Sequence, residues 1–158
     1  MNASLARFFY AKKVLSSTLS GTKYALTAGM LSANNMSSFN ASQMLDGTGV
    51  ATNGGFIANG TTSGTGWLAI DFGTPVESGK FSVYNYNGTT TGTWKMQLSS
   101  DNSNWVDAGS NTIATLAQNV FNDFTWANAG GYRYLRCINT ATSTGQGWWS
   151  EIQVYAYV

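Results

Sequence analysis

Alternation of apolar and polar residues dominates this chain from about residue 41 onward. In Trp67–Phe72, Leu68, Ile70 and Phe72 fall on one face of an extended segment, and Trp67, Ala69 and Asp71 on the other. Lys80–Tyr86 groups Phe81 with Val83, and Thr93–Ser99 sets Trp94, Met96 and Leu98 against Lys95, Gln97 and Ser99. A period of two marks a half-buried strand, because successive side chains of an extended chain point to opposite faces. Further strands are predicted at Trp105–Ala108, Val120–Trp126, Tyr132–Asn139 and Trp149–Tyr157. In the last, Ile152, Val154 and Ala156 lie opposite Gln153, Tyr155 and Tyr157. Turn-forming runs separate them: Asn87-Gly88, Asp101-Asn102-Ser103-Asn104, Gly130-Gly131 and Gly145-Gln146-Gly147. Seven or more short strands at this spacing predict an all-β sandwich or barrel.

Residues 1–40 do not share the pattern. They hold one short amphipathic turn (Leu5, Phe8, Phe9, Lys12) followed by small polar residues. Two readings stand: an N-terminal arm used for anchoring or oligomerisation, or an extra strand or loop packed on the domain. The patterned domain is taken as residues 41–158.

Composition agrees with many short strands. Aromatic residues make up 14% of the 158 residues and charged residues only 9%, where about 25% is usual. The charge is uneven. Residues 1–45 carry Arg7, Lys12, Lys13 and Lys23 and no acid, while the remainder holds all seven acids against four bases. A body near neutrality offers no electrostatic footprint for nucleic acid. The basic segment suits docking on an acidic surface of a larger assembly.

Cys137 is the sole cysteine and histidine is absent, which excludes an intrachain disulfide and ordinary structural zinc sites. No stretch approaches the roughly 20 apolar residues of a membrane span. The opening MNASLARFFYAKKVLSS lacks the apolar core of a secretory leader. The expectation is synthesis in the cytoplasm and release by another route.

Four segments carry a more specific signal. They are Ala41–Gly47 (ASQMLDG), Gly66–Gly73 (GWLAIDFG), Met96–Trp105 (MQLSSDNSNW), and the pair Tyr132–Arg136 (YRYLR) with Trp149–Tyr155 (WSEIQVY). In this order they resemble the coagulation factor V/VIII type C, or discoidin, domains and their relatives the family 32 carbohydrate-binding modules. The resemblance implies an eight-stranded antiparallel jelly-roll β-sandwich of the galactose-binding-like type over residues 41–158. This chain departs from it in lacking the disulfide that ties the ends of many members.

The resemblance also implies a structural Ca²⁺ beside the opening Asp-Gly loop. Carried over by residue, its ligands are Asp46, Thr48, the carbonyls of Gln43, Ala51 and Ser150, and Glu151. The chemistry suits calcium, which takes six to eight hard oxygens. The alternative is that Asp46 caps its own turn and Glu151 bonds loop backbone. Asp71, Arg133 and Arg136 are read as structural, Arg136 as the partner of a carboxylate.

Ligand-binding loops are expected at one end of the sandwich, in segments 53–66, 85–92 and 143–148. Trp67, Trp94, Trp105 and Trp149 sit on patterned strands and are assigned to the core. Phe56, Tyr86, Trp126 and Trp148 lie in or beside loops. An exposed ring flanked by amides and hydroxyls holds a sugar by covering its C–H face. The site residues chosen on that basis are Phe56, Tyr86, Asn87 and Trp148. The histidine that sugar-binding members use in this region is missing.

Catalysis has little to draw on, with no histidine base and a cysteine in mid-strand, so the domain is read as non-catalytic. Its expected partner is a cell-surface glycan or polysaccharide. The leaderless start and basic segment suggest a bacteriophage virion component (tail fibre, baseplate or capsid decoration) on the virion surface. Such a part would be a homo-oligomer joined to other subunits through residues 1–40. A secreted or cell-surface bacterial lectin-like module is the alternative.

Overall fold

The computed structural model describes residues 19–34, 39–48, 56–59, 66–87, 90–140 and 146–157. Ten strands form two antiparallel five-stranded sheets. In chain order they are β1 (Leu19–Lys23), β2 (Leu31–Asn34), β3 (Phe56–Asn59), β4 (Trp67–Val76) and β5 (Ser78–Asn87). Then follow β6 (Thr90–Ser99), β7 (Val106–Leu116), β8 (Val120–Thr125), β9 (Tyr132–Asn139) and β10 (Gln146–Tyr157). Single 3₁₀ turns occupy Ala28–Met30 and Gln43–Leu45. No helix among the described residues is long and apolar enough to cross a membrane.

The first sheet runs β1-β10-β5-β8, and the second runs β2-β4-β9-β6-β7. Strand β10 carries β5 along one side. Its other side is shared by β3, opposite residues 146–149, and β1, opposite Tyr155 and Tyr157. The predicted alternation places the core. Phe81, Val83, Phe124, Trp149, Ile152 and Val154 of the first sheet face Leu68, Ile70, Phe72, Trp94, Met96, Leu98 and Leu135 of the second, all buried. Trp94 and Trp149 meet across the two layers, with ring centroids 5.0 Å apart and planes tilted by 58°.

The all-β sandwich is as expected, with ten strands among the described residues in place of eight. Two described strands lie upstream of residue 41. Strand β2 pairs with β4 from Leu31 to Asn34, and Leu31 joins the core. Strand β1 pairs with β10. Short segments with few apolar residues, LSGTK and LSAN, become strands because neighbouring edges offer ladder partners. The anchoring arm expected over residues 1–40 falls in large part on residues 1–18 and 35–38, which lie outside the described residues.

Polar side chains close the turns. Asp71 Oδ1 accepts from the Gly73 amide at 2.8 Å and from Arg133 Nε at 2.7 Å, while Arg133 Nη2 donates to Oδ2 at 2.8 Å. Asp101 Oδ1 accepts from the amides of Ser103 and Asn104, and Asn102 adopts φ 61°. Among the described residues Arg136 has no carboxylate partner, contrary to expectation. Its Nε and Nη2 both donate to Gln97 Oε1, and its guanidinium lies 4.0 Å over the Trp105 ring. A half-buried cation held by a neutral amide and a π face avoids the desolvation of a second ion.

Trp149→Ala removes the ring that joins the layers and should cost about 3–5 kcal/mol in denaturant unfolding. Arg133 holds the Asp71 carboxyl below its ordinary range, and the Asn104 amide and side chain do the same for Asp101. Carboxylates with lowered folded values add stability that is complete above their unfolded pKa of about 3.9 and lost as pH falls through the folded values. The unfolding midpoint should therefore decline below about pH 4. Asp71→Asn should flatten that decline and cost about 1 kcal/mol at neutral pH, the ion pair being well exposed.

Candidate functional site

The three strands β3, β10 and β5 lie side by side at one end of the sandwich. Backbone pairing sets Trp148 between Ile57 of β3 and Asn87 of β5, and Trp149 between Phe56 and Asn85. Positions 86, 87 and 148, chosen from sequence in separate segments, thus come onto adjoining strands, while position 56 takes the register place opposite the buried Trp149 rather than Trp148. The side chains of Phe56, Asn87 and Trp148 lie outside the described residues. Tyr86 is half-buried.

Two irregularities shape this end. From Trp148 to Trp149 the partner on β5 moves from Asn87 to Asn85, so Tyr86 is an extra residue opposed by none. From Trp149 to Glu151 the partner moves from Asn85 only to Tyr84, which makes Ser150 the extra residue on β10. The pair of bulges offset one another, and such bulges re-aim side chains next to binding sites.

Three buried asparagines hold the same end. Asn85 Nδ2 donates to the Leu116 carbonyl at 3.3 Å. Asn122 accepts from the Ala117 amide and donates to its carbonyl, at 2.8 and 3.0 Å. Asn139 Oδ1 accepts from the Thr93 amide at 3.0 Å. The amide chosen from sequence as a sugar ligand is Asn87. These three, at 0–8% exposure, are staples of the loop scaffold. Trp126, placed by sequence among the loop aromatics, is a core residue at 6% exposure. Trp94 and Trp149 are core as assigned, while Trp67 and Trp105 are half-buried at its edge.

The opening Asp-Gly loop meets β10 beside this end. Asp46 Oδ1 accepts from the Thr48 amide at 2.9 Å and its hydroxyl at 2.7 Å. Glu151 Oε2 accepts from the Gly47 amide at 2.9 Å. Both turn-closing roles weighed from sequence are thus realised. The same bonds bring both carboxylates to one three-residue loop. Asp46 Oδ2 and Glu151 Oε1 accept no hydrogen bond among the described residues.

Glu151 is only 5% exposed, and one backbone amide compensates a buried carboxylate poorly. The donor set fits a hard cation in that respect. No group of three or more acidic, histidine or cysteine side chains gathers among the described residues, so a cation here would draw on carbonyls and the Thr48 hydroxyl. Gln43 begins the 3₁₀ turn before Asp46, and Ser150 is buried beside Glu151. Ala51 lies outside the described residues. Lys23 lines the adjoining groove of about 320 Å³ with Tyr84, Phe121 and Gln153.

The remaining acids are committed elsewhere. Asp107 bonds Lys95 and Gln97, Asp123 bonds Ser82 and Lys80, and Glu77 bonds Asn128. Cys137 is fully buried, and burial pushes its thiol pKa well up. A neutral buried thiol is inert as a nucleophile.

Solved structures share this architecture. The family 32 carbohydrate-binding module of AlyQ, in complex with 4,5-unsaturated mannuronic acid, superposes with a TM-score of 0.58 at 19% identity, covering 84% of this chain and 97% of that one. A family 32 module of a family 31 glycoside hydrolase from Clostridium perfringens gives 0.55 at 16% identity, over 79% and 93%. Truncated AlyQ, with carbohydrate-binding and alginate lyase domains, gives 0.63 at 18% identity over 87% of this chain. This chain spans only 34% of that longer protein. At such identities the likeness is one of fold. A search of the curated proteins gives no match. The F5/8 type C domain model matches residues 27–154, taking in β2 as well as the motif-bearing strands, and the chain belongs to that family.

Proposed function

We propose that this chain is a non-catalytic carbohydrate-binding module that holds a glycan at the β3-β10-β5 end. The observation that carries the reading is the register that sets Trp148 between Ile57 and Asn87, with Tyr86 bulged out of the ladder beside them. Aromatic and amide residues on adjoining strands supply a stacking face and hydrogen bonds, the two needs of a sugar ring. The fold neighbours named as carbohydrate-binding modules support the same reading. Each of the seven acids is engaged in a turn, ion pair or loop clamp, which supports the non-catalytic reading. The similar solved structures lend no support to a place on a virion surface and fit the alternative, a bacterial carbohydrate-binding module.

A glycan array on the intact protein tests the proposal, with Trp148→Ala and Tyr86→Ala beside it. Each substitution should weaken binding about tenfold or more, equivalent to about 1.4 kcal/mol. Failure of the intact protein to bind any glycan would overturn it.

Calcium forms a second part of the proposal. Asp46, Thr48 and Glu151, with the carbonyls of Gln43, Ala51 and Ser150, would hold it and fix the loop to β10. Its chemistry there is charge compensation of Glu151. Chelator should then lower the melting temperature of the intact protein and leave Glu151→Gln unaffected, since glutamine keeps an acceptor for Gly47 without the charge. An unchanged melting temperature in chelator counts against the ion.

A further inference from the structure

The outer face of the first sheet carries the groove of about 320 Å³, between β1, β8 and the turn of Gly47 and Thr48. Its rows follow from the ladder. Glu151, Tyr84 and Phe121 stand in one line across β10, β5 and β8, with Gln153, Ser82 and Asp123 in the next. These side chains share a face, because direct partners point together and positions two apart on a strand point the same way. Phe81, Val83, Ile152 and Val154 alternate with them and enter the core.

Two aromatic groups lie on this face, and one of them offers an open ring. Lys80 Nζ sits 4.9 Å over the Tyr155 ring and is paired with Asp123 at 2.7 Å. That side of Tyr155 is covered. Tyr84 and Phe121 meet edge to face with centroids 5.2 Å apart, a contact that covers one side of one ring alone. Phe121 is 41% exposed. Its neighbour holds it in place before a ligand arrives, so little freedom is lost on binding.

Polar groups around that ring are uncommitted. Lys23 is exposed, and its ammonium has no partner among the described residues. Gln153 Oε1 accepts from the Tyr155 hydroxyl at 2.9 Å, which leaves the Nε2 protons unused among the described residues. The Tyr84 hydroxyl likewise has no partner there. Asn85, Asn122 and Asn139 differ in being spent on loop backbone.

Charge and span decide the ligand class. Lys23 and Glu151 are the charged residues of the groove, and they cancel. The sum stays within one unit of neutral when a divalent ion joins Asp46 and Glu151. A uronate on Lys23 would face Glu151, and an amino sugar on Glu151 would face Lys23, whereas a neutral sugar meets neither repulsion. Its C–H face suits Phe121 and its hydroxyls suit the free donors. The backbones of Phe121 and Gln153 lie about 12 Å apart, two strand spacings across and two residues along. That span is wider than one sugar ring.

We propose that this groove is a second binding site, taking a short neutral oligosaccharide with one ring against Phe121 and hydroxyls on Lys23, Gln153 and Tyr84. It lies on the sheet face, apart from the β3-β10-β5 end, and does not rest on the loop-end reading.

The test follows the side-chain amide resonances of Gln153 in the full chain by NMR, assigned through Gln153→Glu. Tetrasaccharides of glucose, xylose and mannose, with those of galacturonic acid and glucosamine as charged counterparts, are titrated separately at millimolar concentration. The proteins are the intact chain, Phe121→Ala, Lys23→Ala and Trp148→Ala, with melting temperatures measured to show that each is folded. At least one neutral tetrasaccharide should shift the Gln153 amide in the intact protein and equally in Trp148→Ala. Phe121→Ala should weaken that binding about tenfold, and Lys23→Ala should weaken it without unfolding the chain. No shift with any neutral tetrasaccharide would overturn the proposal, as would a response to the charged ones alone. So would a shift undiminished in both Phe121→Ala and Lys23→Ala, or one that vanishes in Trp148→Ala and is therefore a relay from the loop end. Glycan binding that Phe121→Ala abolishes while Trp148→Ala and Tyr86→Ala leave it intact would sink the loop-end reading and keep this one.

Discussion

The contact between Trp94 and Trp149 holds the two layers of this sandwich in place. Each ring is buried at 1% or less exposure, one on β6 of the second sheet and the other on β10 of the first. Aromatic pairs of this kind bury large apolar areas and resist sliding because their rings interlock at an angle. Burying Trp149 pins β10 at the point where it runs between β3 and β5. Residues on either side of it are thereby placed as well: Trp148 toward the loop end, and Glu151 two positions further on, bonded to Gly47.

From this fixed point the polar architecture becomes intelligible. A low-charge sequence must satisfy many buried backbone groups at its turns, since an unpaired buried amide or carbonyl is costly. Asn85, Asn122 and Asn139 serve that purpose at one end, while Asp71 and Asp101 close turns elsewhere. The bulges at Tyr86 and Ser150 are tolerated because they offset one another, so the register resumes as Ile152 opposite Val83. At the other end Gly79 and Gly109 leave room for Tyr157 and Trp126. The sandwich is regular in its middle and shaped at both ends, where loop-borne function is expected.

Much of this was legible in the residues. The period of two in Leu68-Ile70-Phe72, in Trp94-Met96-Leu98 and in Ile152-Val154 assigned the core faces, because side-chain direction in a strand follows from position alone. The run Ser100–Asn104 announced its turn through an aspartate able to accept its own following amides. The ordered motifs gave the family. Strands β1, β2 and β3 were not legible, because five- and four-residue segments carry too few apolar positions to show a period. Their extended state comes from the open ladder groups of β10 and β4.

The sequence by itself determined which strands face the core and which family the domain joins, since both depend on local pattern. Only the tertiary structure decided which polar and aromatic residues are buried. Asn85 and Asn87 are equivalent in sequence, yet one is a buried staple and the other stands opposite Trp148 at the loop end. Trp126 reads as a loop aromatic and is buried because the bulged β7 closes against it. Register and bulging arise from pairing between residues far apart in the chain. No local signal encodes them, and they set which side chains the core takes up.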